Sequence, residues 1–596
     1  MAGSISNMDG YFPITDYGFI GDMHTCALIS KTGSLDFMCW PVFDSPSVFC
    51  RILDKDKGGY FSIRPELENE VTCKQKYLPY TNMLQTKWFH AQGSVEVLDY
   101  FPLSNKPPAP NEETWLSGWC PCRYRKGYDP HSPICHSGII RKISCSSGSM
   151  DMVVELFPAF NYARDGHIIS GGFEKNIAGT TSHKLIFKSD TGQLVLEICL
   201  AGQDGESQIE LQEKAGLKGH GLWAKLKMSE EQSATFILHS EETTLPENDM
   251  GQYISKLEQE TFDFWTNWAR ICKFTGHYRE QVVRSLLVLK LLTYMPTGAI
   301  IASPTFSLPE CIGGARNWDY RYSWIRDTSF TLYVFLENGY DEEAEAYMDF
   351  IYNRIIPSIT REAAEAGQEQ ILPIVISISG DLEIPEMELK HLDGYRGSRP
   401  VRIGNGATSH TQLDTVGALL DSLYLYNKYV GPISYERWMQ IRRIVDYVLE
   451  LRHLPDMSIW EVRGQKQNFV FSKIMIWVMV DRALRLSDKR SNLPCPDYPR
   501  WRSVRDHLYE EIMEKGYNSD AGHFGMSYER SDVLDASVLI APLVLFIAPD
   551  DPRMLGTIRA ISKSRAQGGL SSGTMVYRYD YEKVQDGVWL LLISTF

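Results

Sequence analysis

Apolar and polar positions follow two rhythms along this chain, and the change falls near residue 250. Before it, short runs such as residues 95–100 and 194–200 are rich in apolar and β-branched side chains and bounded by turn formers, which predicts strands. Many such runs at close spacing predict a sandwich of antiparallel sheets. Residues 33–46, crowded with Gly, Pro, Asp and Trp, predict tight turns. Residues 105–149, rich in Pro, Cys, Ser and basic side chains, predict a surface insertion. After the change the period becomes helical, over residues 254–274 and then 278–294, the second through Val282, Leu286, Leu289 and Leu292. Further helices are expected over 323–336, 341–352, 411–429, 435–451, 468–486, 499–515 and 534–546. Residues 469–480 are apolar nearly all round, the mark of a helix buried on every side, as arises where one ring of helices is wrapped by another. The expected organisation is a β-sandwich over 1–250, a linker helix over 251–277 and a helical barrel over 278–596.

Composition narrows the partners. A net charge of −15 argues against nucleic acid or an anionic membrane, both of which attract basic surfaces, and is compatible with a neutral substrate such as a sugar. The 14 Trp, 31 Tyr and 25 Phe could stack on sugar rings, although core filling is the commoner use of such residues. No basic segment followed by an apolar stretch opens the chain, and no run reaches membrane-spanning length, so a cytoplasmic protein is expected. Twelve scattered cysteines fit reduced thiols. Cys120, Cys122, Cys135 and Cys145 loosely suggest zinc but lack the usual knuckle spacing, so neither metal nor cofactor is expected.

Three segments carry candidate chemistry. Ser458-Ile459-Trp460-Glu461-Val462-Arg463-Gly464 sets a carboxyl beside an indole, and an apolar neighbour raises a carboxyl pKa in the way a general acid needs. The plain alternative is a helix-entry Glu paired with Arg463. Residues 317–327 end in Arg326-Asp327, whose donors and acceptors suit vicinal hydroxyls, with Trp324 nearby as a stacking surface. A structural ion pair at a helix start explains them equally well. Residues 394–405 hold three arginines among glycines, but no phosphate-loop fingerprint accompanies them, and a braced rigid loop is the simpler reading. Acid-catalysed hydrolysis of a glycosidic bond uses such a proton donor, and inversion adds a second carboxylate about 6.5–9.5 Å away to activate water.

Taken with the runs at Pro13–Asp22, Cys39-Trp40-Pro41, Pro158–Ala163, Pro296–Ile300 and Leu308-Pro309-Glu310, these segments resemble glycoside hydrolase family 15, in its branch of glucoamylase-like, glucodextran-hydrolysing and trehalase enzymes. The resemblance implies an N-terminal β-sandwich and an (α/α)₆ barrel. It also implies an inverting exo-acting hydrolase that releases β-glucose from α-glucans, isomalto-oligosaccharides or trehalose. By motif match Glu461 is the general acid, Arg326 and Asp327 clamp the terminal glucose, and Arg578 is a further sugar-binding arginine. Trp318, Trp324 and Trp460 become pocket walls or core beside the pocket. Two departures stand out. Cys311 replaces a second acidic residue, and after Asp586-Gly587 the pattern's last helices and general base are absent from their expected place. A non-catalytic sugar-binding relative, or an inactive truncated product, is the alternative that this second departure raises.

Overall fold

A computed structural model describes residues 10–67, 71–104, 134–135, 138–177, 180–201, 209–240, 250–356, 373–461, 465–489, 493–580 and 591–592. The chain divides into two compact units. The first holds residues 1–296 with 303–308 and 388–401, and the second holds residues 297–302, 309–387 and 402–596.

The first unit is built on antiparallel strands, and one of them organises the rest. Gly138–Phe157 runs for 20 residues. Its first half pairs with Ser233–His239 on one side and Gly93–Tyr100 on the other. Its second half pairs with Gly219–Ser229 and Tyr60–Pro65. The register shifts between Cys145 and Ser147, where a bulge bends the strand and passes it from one sheet to the next. Gly148 follows in a left-handed conformation (φ 64°), and a Cβ there would meet the Gln92 carbonyl at 2.0 Å. Side chains alternate in the outer strands, as in Leu84–His90, where Leu84, Thr86 and Trp88 point inward. Ile29, Leu35, Phe61 and Ile63 from one sheet meet Leu84, Val97, Leu196 and Phe236 from the other in a single apolar core. The unit is an antiparallel β-sandwich.

Sequence reading misplaced two segments here. Ser34–Cys39, expected as turn, is a fully buried strand, and the turns follow it. The expected insertion over 105–149 contains the first half of the central strand; residues 105–133, with Cys120 and Cys122, lie outside the described residues. The polar composition that suggested a surface is accommodated by pairing. Arg141, wholly buried, donates from Nε to Asp99 at 2.7 Å and from Nη2 to the Gly33 carbonyl at 2.7 Å. The helix Met250–Arg270 lays Ile254, Leu257, Thr261, Phe264, Trp265 and Trp268 against this unit, and Thr261 Oγ1 accepts the Leu103 N–H at 3.0 Å.

The second unit is helical, and its helices come as hairpins in the (α/α)₆ manner. Ile325–Asn338 is followed by Asp341–Phe350, Asp414–Tyr429 by Tyr435–Leu451, and Val470–Lys489 by Tyr498–Lys515. The leading helices pack side by side, Asp414–Tyr429 lying between the other two. Val470 through Leu484 is buried on every side, as the nearly all-round apolar pattern of residues 469–480 predicts for most of it, and Lys473, Asp481 and Arg482 share that burial. Lys473 donates to the carbonyls of Arg452 (2.6 Å) and Leu454 (3.2 Å), satisfying the frayed end of the preceding helix. The helix expected over 534–546 does not form. A short 3₁₀ turn, Ala536–Ile540, gives way to turns in which Pro542 offers no N–H and Leu545 is left-handed (φ 64°). Among the described residues no helix is long and apolar enough to cross a membrane.

Candidate active site

The strand Ser323–Trp324 pairs with Val375–Ile376, and the chain turns directly from it into the helix Ile325–Asn338. That junction fixes three candidate positions close together in sequence. Trp324 keeps extended backbone angles and is buried, while Arg326 and Asp327 occupy the first helical turn, where a carboxylate also suits the helix dipole.

The Arg326 guanidinium is nearly enclosed and is divided between two tasks. Nη1 donates to Gln412 Oε1 at 2.5 Å and to Asp414 Oδ2 at 3.3 Å, both at the start of the helix Asp414–Tyr429. Nη2 faces Asp327 Oδ2 at 3.4 Å and Glu461 Oε1 at 3.9 Å. Burial alone would favour loss of its proton, but the charges of Asp327, Asp414 and Glu461 together outweigh that and hold it more firmly cationic. Asp327 differs in kind. Half of its side-chain surface (50%) is open to solvent, yet protein crowds it closely enough that desolvation pushes its pKa up, against the pull of Arg326. A carboxylate both reachable and poorly hydrated is placed to exchange water for a ligand's hydroxyls.

Glu461 reaches this group from a turn. Its N–H donates to the Ser458 carbonyl at 3.2 Å, and both residues are left-handed, Ser458 at φ 62° and Glu461 at φ 53°. Non-glycine residues hold such angles only where surroundings over-determine them, and this occurs preferentially at functional sites. Trp324 Nε1 donates to Glu461 Oε1 at 3.0 Å, so this indole enters the site through its N–H, its ring packed with Tyr322, Val375 and Ile384. Among the described residues none takes Oε2.

The next indole, Trp460, donates to both oxygens of Asp535, at 3.0 and 3.1 Å, and carries the Arg578 guanidinium over its ring at 5.1 Å. Asp535 is wholly buried; desolvation pushes its carboxyl up to about 6 despite hydrogen bonds from Ser537 and Trp460. Trp318 lies apart from this pair, buried beneath the Arg402 guanidinium at 4.7 Å. Arg402 in turn faces Glu386 at 3.5 Å, the braced-loop arrangement, and Gly404 and Asn405 donate to Asp319 at 3.1 and 3.0 Å.

Thus Trp324, Arg326, Asp327 and Glu461 converge, and Trp460 with Arg578 forms an adjoining stacked pair. Gln412, Asp414, Asp456 and Asp535 escape sequence reading; their partners lie too far away in sequence for any local pattern to show them. Asp456 is buried, and desolvation, with the neighbouring Asp414 charge, pushes it up to about 7. Among the described residues no cluster of three His, Cys, Asp or Glu side chains could hold a metal ion.

A sandwich is thus followed by helical hairpins, with a carboxyl and an arginine–aspartate pair gathered at the start of one of them. Residues 276–593 match the model of glycosyl hydrolases family 15, and residues 9–119 match a trehalase-like N-terminal model. The chain belongs to glycosyl hydrolases family 15. It is 33% identical over 582 residues to the trehalase of Mycolicibacterium smegmatis, covering 97% of this chain and 80% of that protein. It is 32% identical over 591 residues to the trehalase of Thermoplasma volcanium, covering 98% and 84%. A solved wild-type glycosidase is 21% identical, with a TM-score of 0.37 over 51% of this chain and 73% of its own.

Proposed function

We propose that the protein hydrolyses the α,α-1,1 bond of trehalose with inversion at one anomeric carbon. Glu461 serves as the proton donor, and Arg326 with Asp327 holds the glucose that is attacked. The observation that carries the reading is the division of the Glu461 carboxyl. Oε1 is occupied by the Trp324 N–H at 3.0 Å, with Arg326 beyond it, which leaves Oε2 as the oxygen to meet the glycosidic bond. Proton transfer from Oε2 to the bridging oxygen accompanies cleavage of the C–O bond, and water adds from the opposite face. The family pattern places the base that activates that water after Asp586-Gly587, and residues 588–596 of this sequence carry no acidic side chain to fill the role. Relatives named trehalase along nearly the whole chain favour trehalose over α-1,4- or α-1,6-linked glucans.

Proton NMR during turnover tests the reading: inversion gives one β- and one α-glucose from each trehalose before mutarotation. Two α-glucose molecules, or no turnover by folded protein, would count against it. Glu461→Gln should lower kcat on trehalose by about 10²–10⁴-fold while leaving calorimetric sugar binding in place. A variant as fast as wild type would remove Glu461 from the role.

A further inference from the structure

One buried carboxylate ties the acid to the clamp without touching either. Asp456 Oδ2 accepts the Leu413 N–H at 3.0 Å and the Ser472 hydroxyl at 2.7 Å, while Oδ1 accepts the Ser458 N–H at 3.4 Å. Each partner matters by its place. Leu413 lies between Gln412 and Asp414, the two residues that hold Nη1 of Arg326. Ser458 opens the turn whose last residue is Glu461, and its own left-handed backbone requires an external tie. Ser472 belongs to the buried helix Val470–Lys489. Backbone bonds strengthen the junction: Asp456 exchanges N–H and carbonyl with Gln467 at 2.9 and 3.1 Å, and Met457 N–H donates to the Thr411 carbonyl at 3.0 Å.

We propose that Asp456 is a positioning residue for the hydrolytic reaction, setting the Glu461 carboxyl relative to the Arg326 guanidinium by joining the turn of one to the cradle of the other. The proposal rests on the reading of Glu461 as proton donor. Of the three ties, the one to Ser458 bears on proton delivery, and the other two anchor the carboxylate. Asp456→Asn separates them, because its amide oxygen still accepts from Leu413 and Ser472 while its N–H₂ faces the Ser458 N–H and breaks that bond alone.

The test compares wild type with Asp456→Asn on trehalose and on α-glucosyl fluoride, whose fluoride departs with little need of a proton. A displaced acid lowers kcat on trehalose by about 10- to 100-fold with KM nearly constant. On the fluoride kcat stays within about threefold, because a leaving group that needs no proton does not sense the acid's position. Equal losses on both substrates would mark a merely structural role and overturn the proposal, as would unchanged turnover of trehalose. The Trp324 indole N–H resonance, assigned with Trp324→Phe, reports the Glu461 position without turnover. It shifts in Asp456→Asn if the carboxyl has moved, and an unmoved resonance refutes the idea even if wild type hydrolyses neither substrate, an outcome that sinks the trehalose reading separately. Should Asp456→Asn not fold, Ser472→Ala loosens the same carboxylate and carries both comparisons.

Discussion

Arg326 serves four side chains from two nitrogens, which makes its planar fork indispensable. A lysine ammonium cannot span Gln412 and Asp414 on one side and Asp327 and Glu461 on the other. Arg326→Lys should abolish calorimetric sugar binding and lower Tm, since leaving the buried Asp414 without its partner costs about 3–5 kcal/mol. Asp535 gives a prediction with a pH sign. Its folded pKa, about 6, lies above the ordinary value of 3.8, so folding favours the protonated form. The stability this contributes is present below the unfolded value and is lost as pH rises through about 6. Asp535→Asn has no charge to bury, so its Tm should gain on wild type as pH is raised from about 4 to about 7. A Tm difference that stays constant across that interval would show that Asp535 does not titrate there. The three polar residues at the centre of the site, Glu461, Arg326 and Asp327, were legible because each lies in a short contiguous motif. Their supports were not. Trp324 meets Glu461 across 137 residues, Arg326 meets Asp414 across 88, and Trp460 meets Asp535 across 75. Spacing also offered Trp324 as a stacking surface, because sequence does not say which edge of an indole the fold will bury.

The helices Asp414–Tyr429 and Val470–Lys489 approach closely at Gly417. A Cβ on Gly417 would meet the Met475 carbonyl at 2.1 Å. Gly417→Ala should therefore destabilise the protein in thermal denaturation, because overpacking costs about 1–3 kcal/mol while alanine's helix propensity returns only about 1. A higher Tm would mean that the two helices separate readily. Helix periods read well wherever one face was apolar and the other wet; Tyr435–Leu451 has the bounds the pattern predicts. The failure over 534–546 has a specific cause: the apolar spacing persists through Pro542, but the hydrogen-bond ladder does not. In the β unit the central strand was hidden because half of it carries Arg, Lys, Ser and Cys, residues whose burial depends on partners such as Asp99.

At the scale of the whole molecule, a net charge of −15 and an uncharged disaccharide have little to say to one another. KM for trehalose should stay constant between about 50 and 500 mM salt, where charge-steered association would weaken steeply. A steep dependence in initial-rate measurements would point to an ionic substrate. The sandwich-then-helices order was visible in the change of period near residue 250, but the interleaving of the two units was not, since residues 303–308 and 388–401 carry no strand-like signature that assigns them to the first. That interleaving bears on synthesis at the ribosome. When Gly138–Phe157 emerges, Tyr60–Pro65 and Gly93–Tyr100 are ready to pair with it, but its other edge waits for Gly219–Ser229 and Ser233–His239, and the unit is complete only once residue 401 has been made. For about 4–16 seconds, at about 5–20 residues per second, a nascent chain therefore carries a long strand with one edge open, the form in which chains pair with their neighbours. The late segment 388–401 thus delays closure of a unit whose first strands are among the earliest residues made.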